Sequence, residues 1–165
     1  MWWAARILIL AAAVSTAAWS QPRGVEVWGN TGAARVGGDE GSLGSGAIYG
    51  AGVSLPFTRS LALEVDAQRV RAERFTPLTR IMISPALVWR FGNQRVYGFA
   101  GGGAGIQIDR IAAAEPYTDD DITLHVRGGV VVTPIGRLIV RAEVFSVWHF
   151  LLPTAGVKIG AGYRF

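Results

Sequence analysis

LALEVDAQ, residues Leu61–Gln68, alternates two kinds of side chain: Leu61, Leu63, Val65 and Ala67 are apolar, and Glu64, Asp66 and Gln68 are polar. A β-strand sends successive side chains to opposite faces, so a period of two gives one greasy face and one wet face. The pattern recurs. Residues 80–91 set Ile81, Ile83, Pro85, Leu87, Trp89 and Phe91 against Arg80, Met82, Ser84, Ala86, Val88 and Arg90. Residues 122–132 set Ile122, Leu124, Val126, Val130 and Val132 against Thr123, His125 and Arg127. Residues 138–144 carry Arg141 and Glu143 on the polar side, and residues 157–165 alternate Val157, Ile159, Ala161, Tyr163 and Phe165 with Lys158 and Arg164. Three weaker, glycine-rich segments (24–36, 45–55 and 95–109) bring the count to eight, and their facing stays open.

The composition fits strands rather than helices. Half of the 165 residues are hydrophobic, yet 22 glycines interrupt them. The longest charge-free stretch after residue 20, Gly41 to Thr58, holds five glycines and a proline, which oppose a helix interior. The first 20 residues differ. Met1–Arg6 is a short basic start, Ile7–Ala18 is an apolar run, and Ala18 and Ser20 are small residues placed for a signal peptidase, so residues 1–20 read as a cleaved signal peptide and 21–165 as the barrel domain. That run is shorter than the ~20 residues a spanning helix needs. The chain has no cysteine, so export brings no disulfide. A formal charge of +4 is too mild to imply nucleic acid, no cofactor motif is present, and the acidic Glu115 with Asp119, Asp120 and Asp121 reads as a solvated loop in preference to a divalent-cation site.

Lipid then dictates closure. In hydrocarbon every backbone N–H and C=O must be paired within the protein, so a chain that spans with strands spans as a closed barrel. The predicted fold is all-β, an eight-stranded antiparallel up-and-down transmembrane β-barrel. Short connections at 56–59, 92–93 and 134–136 alternate with longer ones at 37–42, 73–77, 111–121 and 149–154, the layout of an outer-membrane barrel with short periplasmic turns. Turning the charged face inward gives a predicted interior ionic network of Glu64, Asp66, Arg80, Arg90, His125, Arg127, Arg141, Glu143, Lys158 and Arg164. Pairing about a turn centred on Ile135 would set Arg127 opposite Glu143. Phe57, Trp89, Phe91, Tyr163 and Phe165 would form an aromatic girdle at the turn end. An interior of this size is filled by side chains, so a wide pore is not expected.

The signal peptide, the eight amphipathic strands, the glycine-rich YGFAGGGAG at residues 97–105 and the terminal strand GVKIGAGYRF resemble the small outer-membrane barrels of the OmpA and OmpX type, including the opacity-like β-barrel proteins. The resemblance implies residence in the outer membrane and a structural, envelope-integrity or surface-interaction role without enzymatic activity. It also implies that Tyr163 and Phe165 act as the signal read by the outer-membrane assembly machinery. The expected partners are that machinery and outer-membrane lipid, including lipopolysaccharide at the outward Arg69 and Arg71; the barrel is expected to be monomeric. Two alternatives stand beside it. A lipid A-modifying enzyme would need a nucleophile beside His125 or His149, but Ser146 and His149, three apart, face opposite sides of a strand. A soluble periplasmic ligand-binding barrel would need the two faces inverted.

Overall fold

The computed structural model describes residues 24–38, 41–72, 77–111, 117–149 and 152–165; the expected signal peptide lies outside the described residues. Eight strands follow in chain order: β1 Glu26–Gly38, β2 Gly41–Pro56, β3 Leu61–Ala72, β4 Leu78–Gly92, β5 Val96–Ile111, β6 Tyr117–Val132, β7 Leu138–His149 and β8 Leu152–Arg164. Each pairs antiparallel with the next, and β1 pairs with β8 from Glu26↔Arg164 to Val36↔Thr154, which closes the barrel. The strands run from 12 to 16 residues, longer than the ~9 to 11 that cross a bilayer, so they continue beyond the hydrocarbon.

The alternation resolves into inside and outside. Along β3 the even positions from Ala62 to Ala72 are buried, and along β4 so are the even positions from Leu78 to Arg90. Glu64, Asp66, Arg80 and Arg90 therefore point inward, while Leu87, Ile122, Leu124, Val144 and Ile159 are more than half exposed on the outer wall. A water-soluble barrel of inverted polarity is excluded by this arrangement. Ionic groups run the length of the interior, with one apolar cluster toward each end. Trp28, Val88, Tyr97, Phe99, Val131 and Ile139 cluster toward the turn end, and Val36, Ile48, Val70, Met82, Phe145 and Val147 cluster toward the loop end.

The connections differ from expectation in three places. The β6–β7 turn is centred on Gly136 and not on Ile135: Gly136 takes φ +55° and Leu138 N–H donates to the Ile135 carbonyl at 3.0 Å. A one-residue move of the centre shifts every partner by two, so Arg127 stands opposite Phe145 and Glu143 opposite Gly129. The expected Arg127–Glu143 contact is thereby replaced. At β4–β5 the turn is Asn93–Arg95 rather than two residues, with the Asn93 side-chain oxygen accepting from the Arg95 and Val96 amides at 2.9 Å each. The segment 111–121 is mostly strand: Ile111 pairs with Tyr117 and Asp109 with Asp119, so Asp119–Asp121 belong to β6. Residues 112–116 lie outside the described residues, as do 39–40, 73–76 and 150–151 in the three other long connections.

Phe57, Trp89, Phe91, Tyr163 and Phe165 are all exposed, and all lie where β2, β4 and β8 meet the turn end. Trp89 and Phe91 meet at a tilt with centroids 5.4 Å apart, and Tyr163 and Phe165 meet edge to face with centroids 5.1 Å apart. Amphipathic rings of this kind suit the polar boundary of a bilayer.

Candidate functional site

The interior ionic network is built on β3. Strand geometry puts Glu64 and Asp66 two residues apart on the same inward face, one above the other. Glu64 accepts from Arg141 at 2.8 and 3.2 Å and from Arg90 at 3.3 Å, and lies 3.9 Å from the Arg127 Nε. Asp66 accepts from Arg127 and from Lys158 Nζ, the latter at 3.2 Å. Glu143 takes Arg141 Nε at 2.9 Å and Lys158 Nζ at 2.8 Å. These side chains are essentially removed from solvent, so each charge depends on its partners to offset a desolvation cost of several kcal/mol.

Toward the turn end a second carboxylate repeats the motif. Glu26 accepts from Arg90 at 2.9 Å, from Arg164 at 2.8 Å and from the Tyr97 hydroxyl at 2.5 Å, and Ser54 accepts a further Arg90 proton. Arg90 bridges Glu26 and Glu64 into one array. Arg141 is also clamped between rings, its guanidinium carbon 3.7 Å from the Phe99 centroid and 4.4 Å from that of Trp28. Cation–π attraction is strongest where water is excluded, so Phe99→Leu is expected to cost about 2 kcal/mol on top of the lost ring area. Urea unfolding in lipid vesicles checks this, and a loss below that of an outward Phe91→Leu would contradict it.

The structure thus joins Glu64, Asp66, Arg90, Arg127, Arg141, Glu143 and Lys158, with Arg164 attached through Glu26. It separates Arg80, which forms a two-point pair with Asp109 at 2.8 and 2.6 Å and donates to Thr154 near the loop end. His125 lines the interior, but neither ring nitrogen has a hydrogen-bond partner among the described residues. His125→Leu is therefore expected to change stability by less than about 1 kcal/mol or to raise it; a large loss in the same urea titration would reveal a partner. His149 pairs with Asp121 at 2.6 Å on the inner face of β7, whereas Ser146, three residues back, belongs to the outer face. Arg69 and Arg71 are on the outer wall toward the loop end, with Arg69 5.9 Å from the Tyr49 ring centroid.

The sequence pattern does not place Glu26, Trp28, Ser54, Tyr97, Phe99, Asp109 and Thr154 in the interior network. Glu26 had one local signal, the apolar Val25 and Val27 that flank it, but the glycines after Trp28 dilute the alternation of β1.

No protein-family model matches this chain, and no curated protein matches it. Solved structures do. Neisserial surface protein A superposes with a TM-score of 0.77 over 88% of this chain and 100% of its own, at 15% identity. The attachment invasion locus protein Ail of Yersinia pestis, crystallised with the heparin analogue sucrose octasulfate, gives 0.67 over 88% and 100%, at 16% identity. The outer membrane enzyme PagL gives 0.53 over 85% and 99%, at 14% identity. The chain has the fold of the small eight-stranded outer-membrane barrels.

Proposed function

We propose that this chain is an integral outer-membrane barrel with a non-enzymatic role in envelope integrity or surface interaction, exported through a signal peptide at residues 1–20. The observation that carries the reading is the polarity of the wall: large apolar side chains outside and a paired ionic array inside. That arrangement suits hydrocarbon as solvent and matches the shared fold. Tyr163 and Phe165, exposed at the turn end of β8, are read as the assembly signal, and Arg69 and Arg71 as contacts for lipopolysaccharide phosphates, whose geometry suits guanidinium. Surface interaction or adhesion is read on the connections at 37–42 and 111–121.

The decisive experiment is gel migration of the membrane fraction with and without heating. A folded barrel runs faster than its boiled form, so a shift confined to the membrane fraction supports the reading. Protein found only in the soluble periplasm sinks it. Because the lumen is filled by the ionic array, purified barrel in a planar bilayer is expected to show no conductance, and stable open steps would contradict a plugged interior. The fold shared with the outer membrane enzyme PagL keeps an enzymatic reading second, and on an outer-membrane barrel we take lipid A as its substrate. The opposite facing of Ser146 and His149 weighs against it, and mass spectrometry of lipid A with and without the protein separates the two.

A further inference from the structure

The two ends of the barrel differ in charge. Toward the loop end Asp109, Asp119, Asp120 and Asp121 stand among arginines, but toward the turn end the described carboxylates are Glu26 and Glu64, both buried and already paired. The described connections at that end carry arginine instead: Arg59 between β2 and β3, Arg95 between β4 and β5, and Arg137 between β6 and β7. Arg95 and Arg137 are exposed, and neither side chain meets an anion among the described residues.

The ladders decide which way these arginines face. Thr133 N–H donates to the Arg95 carbonyl at 2.7 Å, which continues the β5–β6 register one pair beyond Val96↔Val132. Arg164 N–H donates to the Arg137 carbonyl at 2.8 Å and likewise extends β7–β8 beyond Leu138↔Tyr163. Alternation then puts Arg95 in phase with the buried Tyr97, and Arg137 in phase with the buried Ile139, on the lumen side. The outward phase there holds Val96, Leu138 and Tyr163, all exposed on the outer wall. Arg137 also stands directly opposite Arg164, and like charges so placed repel. Arg164 reaches toward the β4–β5 turn, its Nε 2.8 Å from Glu26 and its Nη1 2.9 Å from the Gln94 carbonyl. The mouth is thus a crown of three guanidiniums at the ends of β5, β7 and β8, with one carboxylate, Glu26, seated beneath it.

We propose that this crown binds the free carboxylates of a short acidic peptide, of the kind carried on the glycan strands of the cell wall beneath the outer membrane. The proposal rests on the outer-membrane reading, which turns this end to the periplasm. Glu26 shows the chemistry in miniature, as a carboxylate held between the guanidiniums of Arg90 and Arg164. Arg95 and Arg137 repeat that offer one layer further out. A bilayer phosphate is a poorer fit, because lipid lies against the outward phase. A folded protein is poorer too: an interface needs an apolar centre inside its polar rim, and the exposed rings at this end belong to the outer wall. A slender peptide with two or more carboxylates needs only charge and the planar forks of arginine.

The test titrates soluble cell-wall fragments with intact peptide stems into the folded barrel in zwitterionic detergent, by isothermal calorimetry. Binding is expected, and Arg95→Ala with Arg137→Ala is expected to weaken it about tenfold, the combined effect of two solvent-exposed ion pairs. The same fragments with amidated carboxylates are expected not to bind. That comparison uses the unaltered protein, so it decides alone should the double variant not fold. Arg69→Ala, on the outer wall toward the loop end, is expected to change nothing. Unchanged affinity in the double variant, or equal binding of amidated fragments, overturns the proposal. So does a polyglutamate peptide that binds where wall fragments do not, which gives the crown to an acidic protein segment. Phosphatidylglycerol in mixed micelles that displaces the fragments gives it to lipid and overturns the proposal too. A membrane barrel that shifts on heating but binds no fragment fails this proposal alone; protein absent from the membrane fraction fails the outer-membrane reading and the proposal with it.

Discussion

Glu64→Ala is expected to lower the unfolding free energy of the barrel by about 3–5 kcal/mol, the usual effect of breaking a buried ion pair by removing one partner. Glu64 holds Arg141 and Arg90 directly and lies within ion-pair range of Arg127, all inside a solvent-free lumen. Without it, three guanidiniums face one another with fewer anions between them. Asp66 and Glu143 remain, so the loss stops short of unfolding. The measurement is urea titration of barrel refolded in lipid vesicles, followed by tryptophan fluorescence and by the heat-sensitive gel band. A loss below about 1 kcal/mol, the scale of an exposed pair, would show that the interior is hydrated and the network loosely held. Arg141→Met is expected to couple to Glu64→Ala by about 2 kcal/mol in a double-mutant cycle, since the two groups touch.

The second large effect is steric. Gly162 faces inward on β8, and a Cβ there would lie 2.0 Å from the Val27 carbonyl oxygen and 2.7 Å from the Cα of Trp28. Both atoms belong to β1, the strand on which β8 closes, so relief of the clash separates the seam of the barrel. Gly162→Val is expected to cost about 3 kcal/mol, at the upper end of overpacking, and to reduce the folded fraction recovered from membranes. Gly29→Ala is the control, because it adds a methyl where a β1 glycine opens outward. Equal recovery of the two variants would mean that the seam can yield.

The fold was legible because one physical fact, the two-residue period of side chains, is written directly in β3, β4, β6, β7 and β8. Burial follows that period at Glu64, Arg90, His125, Arg141 and Lys158, so facing could be read without any partner strand. Glycine removed the signal elsewhere. In β1, β2 and β5 the residues that mark a face are too few to show which way Glu26, Trp28, Tyr97 and Phe99 point. Register was a different kind of problem. It hangs on which residue of a turn takes the left-handed conformation, and Gly136 rather than Ile135 does so. The anion that Arg127 meets, Asp66, lies across the lumen on β3 and not on an adjacent strand. Contacts through the centre of a barrel leave no trace in local spacing.

The ion pair between Glu26 and Arg164 joins residues 138 positions apart, on the first and last strands. Contacts of such long range form only after nearly all the chain is present, and they make folding slow. A chain threading out N-terminus first would therefore present β1 with an unpaired edge, and Glu26 without Arg164, until β8 arrives. During that interval alternate apolar side chains are exposed to water and prone to aggregate. Kinetic protection by an escort is thus built into the demand that the sequence makes on its cell. Circular permutation that joins β8 to β1 and opens the chain at another turn should hand the same wait to the strands at the new opening, because a closed barrel seals between the first and last strands of its chain.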